Sequence, residues 1–219
     1  MSAVAPADRR HRRRLETIEQ VLDVAVEVMA EQGVAGLTLG EVARRMGIRP
    51  PSLYVYFDGK HALYDALFER GWRLLLETVH RAQSRMARDD PLAEFRDGMD
   101  QFVRWAVDNP AYSALMFWRP VPGFTPSERA YAPATALAAE GRAEVVRLRD
   151  AGILRPDVDV DRAFTAQVTL VSGVISQQLS NAPHEPFDGG TWTAVLPELL
   201  DMWLAHHCSS APSRPGESS

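Results

Sequence analysis

The chain has 219 residues, of which 46% are hydrophobic and 24% are charged, and its formal net charge is -5. This composition excludes a low-complexity or fibrous chain and is ordinary for a globular protein with a buried core. The single cysteine, Cys208, excludes an intrachain disulfide. No apolar segment of signal-peptide type follows the basic first 14 residues, and the uncharged stretch 163–184 contains glutamines and hydroxyl groups. We therefore expect a cytoplasmic protein without a membrane span.

The charge is spread unevenly along the chain. Residues 1–60 carry nine basic and eight acidic side chains, whereas residues 61–219 carry fifteen and twenty-one. The net negative charge argues weakly against a nucleic-acid partner. An acidic body with a locally basic end is nevertheless compatible with one, because the field near the phosphates matters more than the sum.

The chain begins with a basic run and a helical pattern. Arg9 to Arg14 contain five arginines and one histidine, and we predict that residues 1–14 form a disordered basic arm. From Leu15 to Met29, apolar residues recur at helical spacing, which predicts the first helix. Gly33 is suited to the position that follows a helix C-terminus.

A second helix of about two turns is predicted next. It begins at Thr38, whose hydroxyl has the capping-box spacing to Glu41, and it ends at Gly47. Short helices joined by a glycine turn are not stable alone, so they require the first helix as a packing partner. We therefore predict a three-helix unit of the helix-turn-helix type over residues 15–60, whose last helix can enter the major groove of DNA.

The last helix of this unit is predicted over residues 50–57. Pro50 and Pro51 occupy its first turn, where missing amide hydrogen atoms carry no penalty. The spacing turns Leu53 and Phe57 toward the core. It turns outward the hydroxyl groups that can bind phosphate oxygens or base edges, namely those of Ser52, Tyr54 and Tyr56.

Lys60 is the only lysine in the sequence and opens the next helical pattern. A cation at a helix N-terminus opposes the helix dipole, and a bound anion such as a DNA phosphate removes that cost. The alternative is an ordinary solvated lysine. We predict a phosphate contact for Lys60 and a connecting helix over residues 61–88, which the proline at 91 ends.

The C-terminal part, residues 89–207, is predicted to be a helical domain. Residues 208–219 contain few apolar side chains and are expected to form a disordered tail. No alternating strand pattern of useful length occurs, so we predict an all-α fold. The helices of this domain are predicted at 92–108, 110–118, 126–151, 158–182 and 190–207.

The segment LTLGEVARRMGIRPPSLYVYFDGKHALYDAL, residues 37–67, combines a threonine-capped helix, an Ala-x-x-x-Gly-Ile turn, a Leu-Tyr-x-Tyr-Phe run and a following lysine. In these features it resembles the DNA-binding segment of TetR/AcrR-type transcriptional regulators. The resemblance implies an all-α homodimer with a helix-turn-helix domain and a variable C-terminal domain that binds a ligand. It also implies phosphate contacts for Thr38, Tyr54, Tyr56 and Lys60.

Three positions depart from the family pattern. The family usually has serine or threonine where Arg49 stands, so Arg49 is expected to project into the groove. Gly40 replaces a longer polar side chain. Val55 replaces a polar or aromatic residue and is limited to contact with a thymine methyl group. The predicted DNA-binding residues are Thr38, Arg49, Pro50, Pro51, Ser52, Tyr54, Val55, Tyr56 and Lys60.

Aromatic and methionine side chains downstream are suited to an apolar ligand pocket, although aromatic residues at helical spacing more often form plain core. The predicted pocket residues are Trp105, Tyr112, Met116, Phe117, Trp118, Tyr131 and Gln177. Small side chains in the last two helices permit a second copy to approach, which gives a four-helix interface in a homodimer. The predicted dimer residues are Val168, Ser172, Gly173, Ser176, Leu199 and Trp203.

Metal, cofactor and catalytic motifs are weak or absent in the sequence. The acidic run at 157–161 lacks the glycine of a calcium loop, and His206, His207 and Cys208 lack the paired spacing of zinc ligands. We predict no metal, no cofactor and no enzyme activity. The predicted function is a DNA-binding transcriptional regulator, a repressor that a small apolar or amphipathic effector releases from a palindromic operator. The alternatives are a regulator without an effector, and an all-α enzyme in which the three-helix unit only packs.

Overall fold

The fold consists of α-helices joined by short turns. A computed structural model of the chain describes residues 6–83 and 90–208. The predicted all-α class is confirmed, and no β-strand forms within these ranges. Three 3-10 turns lie at Val34–Gly36, Pro50–Ser52 and Thr193–Val195. The α-helices are α1 (Pro6–Gln32), α2 (Leu39–Arg45), α3 (Lys60–Gln83), α4 (Pro91–Asp108), α5 (Pro110–Trp118), α6 (Glu128–Asp150), α7 (Val160–Asn181) and α8 (Leu196–His207).

Helices α4 to α7 begin and end close to their predicted residues. Helix α5 coincides with the prediction, and α4, α6 and α7 differ from it by at most two residues at either end. Local signals explain this agreement. Pro110 lies in the first turn of α5, and the Asp159 carboxylate accepts a hydrogen bond from the Arg162 amide at 3.0 Å as the N-cap of α7.

Helix α8 begins later than predicted because the residues before it fold around Gln178. The side-chain amide of Gln178 donates a hydrogen bond to the Ala182 carbonyl at 2.8 Å. Its oxygen accepts hydrogen bonds from the backbone amides of Trp192 and Thr193 at 3.0 and 3.3 Å. The segment 190–195, predicted as helix, therefore forms a turn that a buried glutamine holds.

Helix α1 extends further toward the N-terminus than predicted. It begins at Pro6, so Arg9 to Arg14 lie in its first turns and do not form a disordered arm. Residues 7–14 contain no glycine or proline, and alanine and arginine have high helix propensity, so nothing in this segment ends the helix. Residues 1–5, the predicted end of the connecting helix at 88 and the tail after Cys208 lie outside the described ranges.

The chain forms two compact units. The first comprises the residues up to Arg73 together with Asn109–Pro133, and the second comprises Leu74–Asp108 and the residues from Ala134 onward. This division differs from the predicted domain boundary at residue 89, because α5 packs against α1. The apolar spacing within a helix does not reveal such a partner from a distant part of the chain.

The first unit has its core between α1, α2, α3 and α5. Leu53 and Phe57 are buried in it, as predicted. Gly71 of α3 allows α5 to approach closely, since a Cβ atom there would lie 2.5 Å from Met116 Sδ and 2.8 Å from the Tyr112 ring. Other buried apolar residues of this unit are Val21, Leu22, Ala25, Val28, Met29, Val42, Ala43, Leu63 and Leu67.

The first turn of α6 is bound to α3. Asp65 accepts hydrogen bonds from the backbone amide and from the hydroxyl of Ser127, both at 2.7 Å. The Ser127 hydroxyl in turn accepts a hydrogen bond from the Ala130 amide at 3.2 Å and so caps α6. An ion pair between Arg129 and Glu69 at 3.3 Å adds a second link between the same two helices.

The second unit has its core between α4, α7 and α8. Phe95 stacks on Trp203 with 5.2 Å between ring centroids, and Trp203 Nε1 donates a hydrogen bond to the Ala163 carbonyl at 3.0 Å. Gly141 of α6 makes room for Phe164, whose ring would lie 2.5 Å from a Cβ atom at that position. None of the described helices is both long and apolar enough to cross a membrane.

Candidate nucleic-acid interface

Thr38 caps α2 as the sequence predicts. Its hydroxyl accepts a hydrogen bond from the Glu41 amide at 3.1 Å. The reciprocal half of the predicted capping box is missing, because the Glu41 carboxylate binds Arg44 and Arg45 instead. Hydrogen bonds from Arg44 and then Arg45 lower the pKa of Glu41 to about 2.

Arg45 fixes α2 against α1. Its guanidinium donates to Glu41 at 2.9 Å on its own helix, and its two terminal nitrogens bind the Glu31 carboxylate near the end of α1. Such bidentate pairing has a defined geometry and therefore fixes orientation as well as distance. The hydrogen bond from Arg45 also lowers the pKa of Glu31.

The chain turns sharply after α2 and enters the segment that we call the reading turn, Pro50–Phe57. Gly47 adopts a φ of 67°, a left-handed conformation that favours glycine, while the Ile48 amide donates to the Ala43 carbonyl at 3.0 Å. Arg49 is extended and makes no side-chain cap to the turn that follows.

The reading turn is shorter than the predicted helix. Pro50–Ser52 form a 3-10 turn, and the amides of Tyr56 and Phe57 both donate to the Leu53 carbonyl, at 2.9 and 3.0 Å. The prediction of a helix over 50–57 is therefore wrong in type. The amides of Ser52 and Leu53 donate to the Arg49 and Pro50 carbonyls, three residues earlier, at 2.9 and 3.0 Å, which is the 3-10 pattern.

One face of the reading turn is open to solvent. Tyr54 is 57% exposed and Val55 is 67% exposed, so neither residue belongs to the core of the unit. The other predicted DNA-binding residues with exposed side chains are Thr38, Arg49, Pro50, Pro51 and Ser52. Tyr56 and Lys60 are only half-exposed.

Arg14 contacts the reading turn from α1. Its Nη1 donates a hydrogen bond to the Val55 carbonyl at 3.1 Å, and its Cζ lies 5.1 Å from the centroid of the Tyr56 ring. Arg14 belongs to the segment predicted as a disordered arm, and that prediction includes no such contact. Helical spacing provides a signal for it, since Arg14 continues the stripe of Ile18 and Val21 by one turn.

Lys60 is bound within the first unit. Its Nζ donates a hydrogen bond to the Ala35 carbonyl at 3.0 Å and lies 5.3 Å from the centroid of the Tyr64 ring. The Tyr64 hydroxyl donates to the Val34 carbonyl at 2.6 Å, and burial raises the pKa of Tyr64 to about 12. Lys60 and Tyr64 together therefore hold the turn that precedes α2.

The predicted pocket residues do not form one group. Trp105 lies in the second unit, whereas the other aromatic members lie in the first. Gln177 is exposed, whereas its neighbour Gln178 is buried. Tyr112 and Met116 are buried beside Gly71, and burial raises the pKa of Tyr112 to about 12.

Two rings that the sequence analysis missed join three predicted ones in the first unit. Trp72 lies 6.2 Å from Phe68 and 5.5 Å from Phe117, measured between ring centroids. Phe68 lies 5.4 Å from Tyr131, and Phe117 lies 6.4 Å from Trp118. We call these five residues the aromatic cluster. Trp72 Nε1 is buried and has no hydrogen-bond partner among the described residues.

The predicted dimer residues divide into exposed and buried ones. Trp203 belongs to the core of the second unit, so its assignment to a surface is wrong. Val168 is 41% exposed, and Met202 of α8, which the sequence analysis did not select, is 67% exposed. Of the remaining predicted residues, Ser172 and Gly173 are exposed and Ser176 and Leu199 are half-exposed.

Comparisons with known proteins agree with this geometry. The family model described as bacterial regulatory proteins, tetR family, matches residues 21–67. The transcriptional regulator Rv1816 of Mycobacterium tuberculosis strain H37Rv is 33% identical over 127 residues, which are 55% of this chain and 52% of that protein. The chain thus spans about half the length of the curated relatives that it matches first.

Two further similarities cover more of the chain. The tetracycline repressor protein class C of Escherichia coli is 29% identical over 170 residues, which are 76% of this chain and 68% of that protein. The structure of the transcriptional regulator FadR from Bacillus subtilis, in complex with stearoyl-CoA, has a TM-score of 0.71 at 14% identity and covers 85% of this chain and 97% of that chain. The match to the tetR family of bacterial regulatory proteins thus covers the helix-turn-helix unit, at residues 21–67.

Proposed function

We propose that the protein is a DNA-binding transcriptional regulator that uses the reading turn to recognise duplex DNA. The observation that carries the proposal is the exposure of Tyr54 and Val55 at the edge of a helix-turn-helix unit whose own helices support them. Groups of this kind have no role in packing the unit. The relatives named as transcriptional regulators and as a tetracycline repressor support the same assignment.

The exposed groups match the chemistry of DNA. Hydroxyl groups of Thr38, Ser52 and Tyr54 are donors for phosphate oxygens, which position a protein on the duplex. Arg49 is suited to a guanine edge, and Val55 is suited to a thymine methyl group. In a homodimer, two copies of the reading turn would contact major-groove faces about one helical turn apart. A regulator of this kind acts in the cytoplasm, where bacterial DNA lies.

Selection of bound sites from randomised duplex DNA tests this proposal. We expect an enriched sequence with two inverted half-sites, because the partner of a symmetric dimer reads the opposite strand. The variant Tyr54→Ala should bind the selected duplex more weakly, and Ala143→Ser, an exposed position in the second unit, serves as the matched control. Recovery of unenriched DNA by the folded wild-type protein contradicts the proposal.

The regulator is proposed to be a repressor that a small apolar or amphipathic effector releases. The aromatic cluster supports such a ligand, because aromatic walls with few polar groups are typical of ligand sites. The buried indole N–H of Trp72 supplies one polar group, and a donor left unpaired costs about 1–3 kcal/mol that an acceptor on the ligand would recover.

Displacement of the selected duplex by candidate molecules tests the effector. Molecules that combine an aromatic or aliphatic body with a hydrogen-bond acceptor should release the duplex, and Trp72→Phe should weaken their effect while leaving DNA affinity intact. If none of these molecules alters the affinity for the selected duplex, a regulator without an effector is favoured.

A further inference from the structure

Arg14 is an exposed residue of α1 at the edge of the core of the first unit. It lies one turn before Ile18 on the stripe of α1 that continues through the buried Val21 and Ala25. At this point the core has ended and the reading turn begins. The Arg14 guanidinium binds the Val55 carbonyl at 3.1 Å and lies against the Tyr56 ring at 5.1 Å.

These two contacts flank the most exposed part of the reading turn. Its backbone is closed by hydrogen bonds to the Arg49, Pro50 and Leu53 carbonyls, the last of which accepts from both Tyr56 and Phe57. The Val55 carbonyl is outside that pattern and accepts from Arg14 instead. A planar guanidinium that pairs with a carbonyl and stacks on a ring fixes both distance and orientation.

We propose that Arg14 is a positioning residue for DNA recognition: it holds the Val55 carbonyl and the Tyr56 ring so that Tyr54 and Val55 meet DNA in one conformation. The inference rests on the proposed DNA-binding function. This role differs from a phosphate contact, because the Arg14 guanidinium is bound within the fold by the Val55 carbonyl.

The two roles of an arginine near DNA are separable by their salt dependence. An arginine that binds a phosphate releases condensed counterions, so its loss flattens the slope of log affinity against log salt by about 0.9 and weakens all sequences alike. Loss of a positioning arginine leaves that slope in place. It lowers the preference for the selected site over a site with altered bases, because the base-contacting side chains lose their fixed geometry.

The experiment compares Arg14→Gln with Arg12→Gln, which makes the same charge change at an exposed arginine on another side of α1. For Arg14→Gln we expect about tenfold weaker binding to the selected duplex, a reduced preference over a base-altered duplex and an unchanged salt slope. Adding Tyr56→Leu to Arg14→Gln should cost less than Tyr56→Leu costs alone. A slope that flattens with equal loss on both duplexes overturns the inference.

A measurement without DNA keeps this inference separate from the proposed function. Amide hydrogen exchange of the free protein should become several-fold faster at Tyr56 and Phe57 in Arg14→Gln and should stay unchanged in Arg12→Gln. Unchanged exchange at both amides in Arg14→Gln overturns the positioning role, whatever the wild-type protein binds. A wild-type protein that selects no DNA sequence contradicts the proposed function alone.

Discussion

The single ammonium group of Lys60 has a structural partner that the sequence does not reveal. Its hydrogen bond to the Ala35 carbonyl helps to hold the turn before α2, while the ammonium has further N–H groups able to bind a phosphate. Both roles explain why a cation lies at the start of α3, where it opposes the helix dipole. They predict different consequences of its removal.

Lys60→Met keeps the apolar stem and removes the charge. We expect the slope of log DNA affinity against log salt to flatten by about 0.9, as one phosphate contact is lost. The free energy of unfolding should fall by about 1 kcal/mol, because the hydrogen bond to the Ala35 carbonyl is lost. Salt titrations of DNA binding and denaturant unfolding measure the two effects. A lower stability with an unchanged slope would leave Lys60 with the Ala35 contact only.

Side-chain direction in the reading turn was predictable, and side-chain partners were not. Leu53 and Phe57 lie four residues apart, which turns both to the core in a helix and also in a single turn. Their predicted burial is therefore correct although the predicted element type is not. Gln177 was chosen where Gln178 is buried, since one residue on a helix changes direction by about 100°. The link from Arg14 to Val55 spans 41 residues, so helical spacing places Arg14 on the stripe of α1 that leads to the core but does not identify its partner.

The junction between α1 and α2 should respond to acid. The pKa of Glu41 is about 2 and that of Glu31 is lowered, both below the ordinary value of 4.5, through hydrogen bonds from Arg44 and Arg45 to Glu41 and from Arg45 to Glu31. Between pH 4.5 and about 2, the unfolded chain therefore binds more protons than the folded chain. The stabilisation is complete above pH 4.5 and is lost as pH falls toward about 2.

Arg45→Gln removes the partner that joins the two helices. We expect this variant to be less stable than the wild type at pH 7, and the difference in unfolding free energy should shrink as pH falls from about 4.5 toward about 2. Arg44→Gln is the matched control, since Arg44 binds only Glu41 of its own helix and should have the smaller effect. A wild-type advantage that is constant over this interval would contradict the assigned role of the network.

Elements with explicit end signals were predicted well. Helices α5 and α7 begin at a proline and at an aspartate cap, which are local features of the sequence. Helix α8 was predicted too long because its start depends on Gln178, twelve or more residues earlier in the chain, which binds the backbone of residues 192 and 193. The length of α1 was underestimated because a run of arginines was taken for a disordered segment.

The second unit presents exposed apolar residues along α7 and α8 that are suited to a second copy of the chain, and Glu198 is exposed among those of α8. Val168 and Ser172 lie one turn apart on α7, Val195 lies directly before α8, Met202 lies on α8, and all four are exposed. Met202→Glu should shift the protein toward the monomer and weaken DNA binding, because a buried carboxylate would lack a partner. Sedimentation analysis measures the shift.

Ala143→Glu provides the control for this variant, as it adds the same charge at an exposed position on α6. Two results would show that this surface is not the dimer interface. One is Met202→Glu protein that sediments as the wild type does, and the other is wild-type protein that is monomeric while bound to an inverted repeat.

At the scale of the molecule, the all-α class was predictable from helical spacing. The division into two units was not, because it depends on where α5 packs.

The cap of α6 lies outside α6. Asp65 and Ser127 are 62 positions apart in the sequence, yet their two hydrogen bonds of 2.7 Å determine how α6 starts. Any axial shift of α6 must therefore stretch these bonds or carry α3 along with it. Helix α3 also holds the turn before α2 through Lys60 and Tyr64, so the start of α6 and the start of α2 depend on the same helix.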